Sequence, residues 1–303
     1  MSFWSYQLGA SWRNLGTLKA AAKTRLYVVQ TRGMLTRHRS ACASPMTGVD
    51  VPDDEKLTVI VLNHKRPENV AMIARYALRS GFVGRLVISN NSQNYRIERY
   101  VRQADARLTL LNQERASGVG IRFELARQFP ARYYVCIDDD IFLHPVQLQW
   151  VYCNLRQAPE RPHGIFGAEL TVGEETDKQW PFAHRRNKTG PVHILNGLFA
   201  FTHEHMDEFF RLCKLLGIED PSNLMNGEDI ILSFSGDKRP MMKRWQEAKV
   251  SSAQAGCRYS STALVHSRIA ARCAGSSGLS GGAGKASSRY SQITLDSMMT
   301  LPS

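Results

Sequence analysis

Several features are missing from this 303-residue chain, and each absence removes a class of protein. No apolar run approaches the ~18 residues that cross a bilayer. The longest, Leu57 to Leu62, is already interrupted at Thr58. No signal-peptide core stands out. The six cysteines (Cys42, Cys136, Cys153, Cys213, Cys257, Cys273) contain no CxxC pair and no zinc-ligand spacing. Free thiols in a reducing compartment are therefore expected over a disulfide framework. The nine histidines form no HExxH pair, which removes the zinc-protease helix. Positions 1–49 hold no acidic residue at all. The remaining composition, 43% hydrophobic and 22% charged, is that of a globular protein and excludes whole-chain disorder.

The excess positive charge sits at the two ends. Positions 1–49 carry seven Lys/Arg and no acid, and positions 236–303 carry ten Lys/Arg against three acids. Positions 50–235 are left slightly acidic, at −2. A pI near 9.6 by itself suggests nucleic acid. A near-neutral centre does not, so no specific nucleic-acid partner is expected; contact with an anionic membrane surface falls to the basic ends. Three regions follow: a basic extension over 1–49, an α/β domain over 50–235, and a poorly ordered Ser/Ala/Gly-rich basic tail over 236–303. The expected location is cytoplasmic. The alternative is organelle or membrane-surface targeting through the acid-free start.

The central region alternates strand and helix patterns. Leu57-Thr-Val-Ile-Val-Leu62 is a β-branched run of the kind buried in parallel sheets. Pro67 and Glu68 open a helical pattern that runs to a predicted cap at Gly81. Arg85 to Ser89 predicts a second strand that ends in Asn90-Asn91-Ser92, followed by a polar helix. Leu108 to Leu111 predicts a third strand, Ile121 to Phe129 a helix, and Tyr133 to Ile137 a fourth strand. Leu148, Val151, Tyr152 and Leu155 mark one face of a helix over Pro145 to Gln157. Ile165 to Leu170 predicts a strand, 171–191 a binding loop, and His203 to Leu216 a helix. Such alternation builds a parallel sheet with helices on its faces and a ligand crevice at the carboxyl ends of the strands. His64 to Arg66, Asn90-Asn91, Asn112 to Gly120 and Asp138 to Asp140 should therefore meet there.

Asp138-Asp139-Asp140 is the sharpest chemical signal, because a buried strand runs straight into three carboxylates. Alternation along an extended chain turns Asp138 and Asp140 to one side. Two acids that close repel unless a cation joins them. Hard oxygen ligands with open positions suit Mn2+ or Mg2+ shared with a diphosphate. The competing reading is a solvated acidic turn before the next helix. Gly227-Glu228-Asp229 offers a general base or, equally from sequence, a helix cap. Arg66, Arg115 and Arg122 follow strand ends and suit phosphate oxygens, and Arg122 opens a helix toward the crevice. Asn90 and Asn91 read as base or ribose contacts or as turn residues. Asn196-Gly197 breaks an apolar segment, as a close ligand approach or a bulge does.

In that order these pieces resemble a GT-A-type glycosyltransferase, in particular the exostosin-like and family 2 nucleotide-sugar transferases. The pieces are Leu57–Asn63 with Arg66, Asn90-Asn91-Ser92, Arg122-Phe123, Asp138-Asp139-Asp140 and Gly227-Glu228-Asp229-Ile230. The resemblance covers about 56–235. It implies a GT-A (Rossmann-like) mostly parallel sheet, a nucleoside-diphosphate sugar donor (a UDP-sugar first), Mn2+ or Mg2+, and a glycan or other hydroxyl acceptor. It also implies roles: Arg66, Asn90, Arg122, Asp138 and Asp139 on the nucleotide and diphosphate, Asp140 and Asp138 on the metal, and Asp229 with Glu228 at the transferred hexosyl or N-acetylhexosaminyl group. Two alternatives stay open at this stage. One is a nucleotidyltransferase on a related sheet; the other is an inactive homologue that binds through its basic ends.

Overall fold

The structure, a computed structural model, describes residues 51–250 apart from 144, 171–181, 185–188 and 244–248. The extension at 1–49, most of the 171–191 loop and the chain beyond 250 lie outside the described residues. The three described cysteines, Cys136, Cys153 and Cys213, are free thiols.

The first half is a succession of βα units. Strand β1 (Leu57–Asn63) leads to helix α1 (Pro67–Leu78), then to β2 (Val83–Asn90) and β3 (Leu108–Asn112). Helix α2 (Ile121–Gln128), strand β4 (Tyr133–Asp138), the short β5 (Ile141–Phe142) and helix α3 (Pro145–Gln157) follow. The second half contributes short strands: β6 (His163–Gly164), β7 (Gly167–Leu170), β8 (Phe182–His184), β9 (Gly190–Pro191), β10 (Ile194–Leu195) and β11 (Leu198–Thr202). Helices α4 (His203–Leu215) and α5 (Glu228–Ser233) and strands β12 (Met241–Met242) and β13 (Lys249–Val250) complete the described chain.

Eight strands make the main sheet in the order β3-β2-β1-β4-β11-β6-β12-β9. From β3 through β4 every pairing is parallel, while β11 runs antiparallel to both β4 and β6. This is the expected α/β sheet. Its central strands β1 and β4 are buried on both faces, and strand alternation sorts the side chains. Leu57, Val59 and Val61 of β1 enter one core with α1 and α3; Ile60 and Leu62 enter the other with α2, α4 and α5. Phe123 of α2 anchors the second core. It stacks on Phe209 of α4 at 3.8 Å between centroids and lies 5.4 Å from Phe201 of β11. An aromatic buried this fully costs about 3–5 kcal/mol to truncate to alanine.

Three expectations need correction. The polar helix between β2 and β3 is only a single 3-10 turn, Ile97–Arg99. The Asn90 amide takes the carbonyls of Ser92 and Tyr95, which a helix there would need for itself. Helix α1 stops at Leu78 with Arg79 as its cap, and Gly81 does not adopt the left-handed cap conformation. The fold also continues past 235, because β12 joins the main sheet between β6 and β9.

Candidate active site

Register sets the rim of the parallel half. Asn63, Asn90 and Asn112 lie side by side at the ends of β1, β2 and β3, and Asp138 lies level with Leu62. The three asparagines form a ladder. Asn63 Nδ2 donates to Asn90 Oδ1 at 2.7 Å, Asn90 Nδ2 to Asn112 Oδ1 at 3.1 Å, and Asn112 Nδ2 to Glu98 Oε1 at 2.8 Å. Asn90 is fully buried, and its oxygen also accepts from the Ser92 amide. Both ends of the Asn90 side chain, expected on the nucleotide, are engaged within the rim. Asn91 lies beside it, buried, with Nδ2 donating to the Ser117 carbonyl. Arg115 is exposed and outside the crevice grouping.

The three aspartates divide into different environments. Strand β4 ends at Asp138, and the chain turns through Asp139 and Asp140. Asp139 points into the loop after β1, with 7% of its side chain exposed. Its Oδ2 accepts from the His64 and Lys65 amides at 3.0 and 3.3 Å, and its Oδ1 pairs with Arg66 Nη1 at 2.7 Å. Asn69 Nδ2 holds its carbonyl at 2.9 Å. Asp139 and Arg66, expected on the nucleotide, thus bind each other and fasten the β1–α1 turn to β4. Arg66 also reaches toward Asp140, at 3.5 Å from Oδ2.

Asp138 faces the other way. Its Oδ1 accepts from Arg122 Nη2 at 2.9 Å. Arg122 rises from the first turn of α2, 2% exposed, with Nε on the Val119 carbonyl at 3.0 Å and its guanidinium 5.0 Å from the Phe199 ring centroid. The same Nη2 lies 3.7 Å from Glu228 Oε1. Burial opposes the charge on Arg122, but Asp138 and Glu228 outweigh it and hold its pKa above the ordinary value. Asp138 keeps 37% of its side chain open at the crevice floor. Desolvation by the surrounding protein still raises its pKa, against the pull of Arg122. Asp140 is pushed up to about 6 by burial and by the charge on Asp138.

Glu228 and Asp229 reach the same place from the far half of the chain. Gly227, at φ +92°, turns the chain into α5. Asp229 Oδ2 accepts from Asn196 Nδ2 at 3.2 Å, and its Oδ1 from the Ile230 amide at 2.9 Å. Burial raises both carboxyl pKa values, that of Glu228 against the opposing charge of Arg122. Gly197, at φ +66°, links Asn196 back to Asp138, whose amide donates to the Gly197 carbonyl at 3.1 Å. A Cβ at Gly197 would sit 2.9 Å from Ile141 Cδ1 and 3.5 Å from Asp138 Oδ2, so glycine keeps the floor beside Asp138 clear. Asn196, Asp229, Glu228, Arg122, Asp138 and Gly197 thus form a continuous ring. Three buried atoms of that ring have no hydrogen-bond partner among the described residues: Arg122 Nη1, Glu228 Oε2 and Asn196 Oδ1.

Two glycines set the position of that ring. The Gly118 amide donates to the Ser222 carbonyl at 2.7 Å and the Gly120 amide to the Leu224 carbonyl at 3.3 Å. A Cβ would lie 2.1 Å from Leu224 O at Gly118 and 2.0 Å from Pro221 O at Gly120. This clasp fixes the start of α2, with Arg122, against the turn that precedes Glu228. Neither the clasp nor the Asn196–Asp229 bond was apparent from sequence spacing. The ladder did leave a signal, since three successive parallel strands each end in asparagine.

Among the described residues no group of three or more His, Cys, Asp or Glu side chains converges as a metal cage. Within the aspartate triplet, Asp138 and Asp140 keep 37% and 23% of their side chains exposed, against 7% for Asp139. That donor set fits a hard cation completed by ligand oxygens and water, and does not fit a cation held by protein alone.

No family model matches the sequence, and no curated protein is similar to it. Among solved structures, S. aureus TarS 1–349 in complex with UDP-GlcNAc is similar over 79% of this chain and 70% of its own, at 14% identity and a TM-score of 0.50. GalNAc-T7 with UDP, GalNAc and Mn2+ matches over 62% of this chain, at 13% identity and a TM-score of 0.45; this chain covers 42% of its length. CMP:2-keto-3-deoxy-manno-octonic acid synthetase complexed with CTP matches over 52% of this chain and 78% of its own, at 13% identity and a TM-score of 0.37. The likeness to TarS shows the fold, and the α/β GT-A (Rossmann-like) sheet expected from the sequence is present.

Proposed function

We propose that the chain transfers a sugar from a nucleoside-diphosphate donor, a UDP-sugar first, to an acceptor hydroxyl. The carrying observation is the ring at the sheet's rim, where Asp138, Arg122, Glu228, Asn196 and Asp229 come from four separate elements and keep buried charged atoms unsatisfied. The UDP-GlcNAc bound by TarS, the structure with the same fold, agrees with that donor class. Asp140 and Asp138 are the residues that would hold Mn2+ or Mg2+, and a bound cation would supply positive charge to the departing diphosphate. Arg122, on Asp138 Oδ1, supplies a positive charge that balances this carboxylate without needing proton transfer before the donor binds. Asp229 is half open to the crevice, and its raised pKa gives it the proton affinity of a general base for the acceptor hydroxyl. Nucleotidyl transfer fits less well. It needs free amides after the first strand to cradle phosphates, and here the His64 and Lys65 amides are taken by Asp139.

The test is a thermal-shift panel of UDP-, GDP- and CDP-sugars with and without Mn2+, on the full chain. At a hundredfold excess over Kd a ligand adds about 2.7 kcal/mol, a Tm rise of several degrees. Stabilisation by a UDP-sugar only in the presence of Mn2+ is expected. No stabilisation by any of the three classes, or sugar transfer by Asp140→Ala in chelator, would overturn the reading.

A further inference from the structure

Arg122 and Glu228 make an incomplete pair. A guanidinium usually meets a carboxylate with two nitrogens. Arg122 instead offers the single Nη2 to two carboxylates, at 2.9 Å to Asp138 and 3.7 Å to Glu228. The longer contact is beyond hydrogen-bond range. Meanwhile Arg122 Nη1 and Glu228 Oε2 are buried and have no hydrogen-bond partner among the described residues. Leaving buried charged atoms unpaired is costly, and these two residues already approach to 3.7 Å through their other terminal atoms, so a turn of Arg122 toward Glu228 is the direction that would pair them. Nε on the Val119 carbonyl and the Phe199 ring under the guanidinium supply a pivot and a slide for that turn.

We infer that Arg122 stands in for the cation at Asp138 and that Glu228 is the position to which it withdraws. This rests on the proposed donor chemistry. When Asp138 is given up to a divalent cation and a diphosphate, Arg122 turns onto Glu228 and pairs through both terminal nitrogens. Like charge repels it from the filled site, and Glu228 compensates it there. Glu228 is then a positioning residue, acting through Arg122, while Asp229 keeps its separate bonds to Asn196 and the Ile230 amide.

The test is Mn2+ binding by electron paramagnetic resonance in saturating UDP, on full-length wild type, Arg122→Gln, Glu228→Gln and the double variant. If Glu228 receives the displaced Arg122, Glu228→Gln weakens Mn2+ binding about tenfold in the wild-type background and less than about twofold when Arg122 is already Gln. Equal weakening in both backgrounds is the simple loss of a nearby negative charge and overturns the inference; so does no weakening in either. A crystal structure of wild type with Mn2+ and UDP gives a readout free of variants. Both Arg122 terminal nitrogens within hydrogen-bond distance of Glu228 are expected, and an Arg122 still bonded to Asp138 overturns the inference. Wild type that binds no Mn2+ with UDP would remove the proposed function along with it, whereas additive losses would remove this inference alone.

Discussion

The two halves of the crevice rim are built on opposite principles. At the ends of β1 to β3 the side chains are neutral amides whose hydrogen bonds run into one another, and what is left over is neutral, the carbonyl oxygens of Asn63 and Asn91. At the end of β4 and the starts of α2 and α5 the groups are charged, share partners and leave a guanidinium nitrogen and a carboxylate oxygen unpaired among the described residues. A ladder of neutral amides bonded from strand to strand stiffens a sheet edge. A charged network that does not close stores free energy that a ligand can release. Under the proposed function the first half is architecture and the second carries the chemistry.

The largest expected effect tests the chemical half directly. Asp140→Ala should lower transfer about 10³-fold, while leaving Tm within a few degrees, because its ion pair with Arg66 is long, at 3.5 Å, and the charges of Asp138 and Asp139 oppose its own. Parallel activity assays and thermal melts check this. Its neighbour should behave in the reverse way. Asp139→Ala leaves Arg66 and two amides without their carboxylate, at a cost of about 3–5 kcal/mol in urea unfolding. If Asp139→Ala were stable and inactive, the division within the aspartate triplet would be wrong.

Asn90→Ala tests the architectural half. Breaking the middle of the ladder should cost about 2 kcal/mol of stability and change the donor KM by less than about twofold. A large KM change with no loss of stability would return Asn90 to the nucleotide and blur the contrast.

Acid gives the last and smallest effect, and it separates the regions by sign. His205 Nδ1 accepts from the Thr202 amide in a capping box at the start of α4, and burial pushes its pKa down to about 4. Between the unfolded value near 6.5 and that folded value the unfolded chain binds the proton and the folded one does not, so stability falls as pH falls. Asp140, with its folded pKa raised to about 6, does the opposite and favours the folded state as pH drops below 6. His205→Gln preserves a Thr-x-x-Gln box without the proton site. It should gain about 2 kcal/mol on wild type between pH 7.5 and pH 5, measured by urea unfolding at each pH.

The sheet was legible in the sequence because its central strands are buried on both faces and therefore read as β-branched runs. The aspartate triplet was legible for the same reason, since charge directly after such a run has few structural explanations. The inward role of Asp139 was not. Alternation describes a strand, and the chain leaves β4 at Asp138 and turns. The ladder through Asn90 was not legible, because an asparagine at a strand end suits a ligand and a neighbouring amide equally well, and only register shows that Asn63 and Asn112 are in reach. The partners of Asp229 and Arg122 come from residues tens of positions away, which spacing cannot reveal.

The glycine clasp has a consequence for the birth of the protein. Its halves are about a hundred positions apart, so closing it is among the most non-local steps the chain takes and belongs to the slow end of folding. During synthesis the βα units can assemble while Ser222 and Leu224 are still inside the ribosome, and Arg122 then has Asp138, Val119 and Phe199 to meet but not Glu228. The charged ring closes when that buckle shuts, and a nascent polypeptide released just short of it would lack Glu228, Asp229 and strand β12.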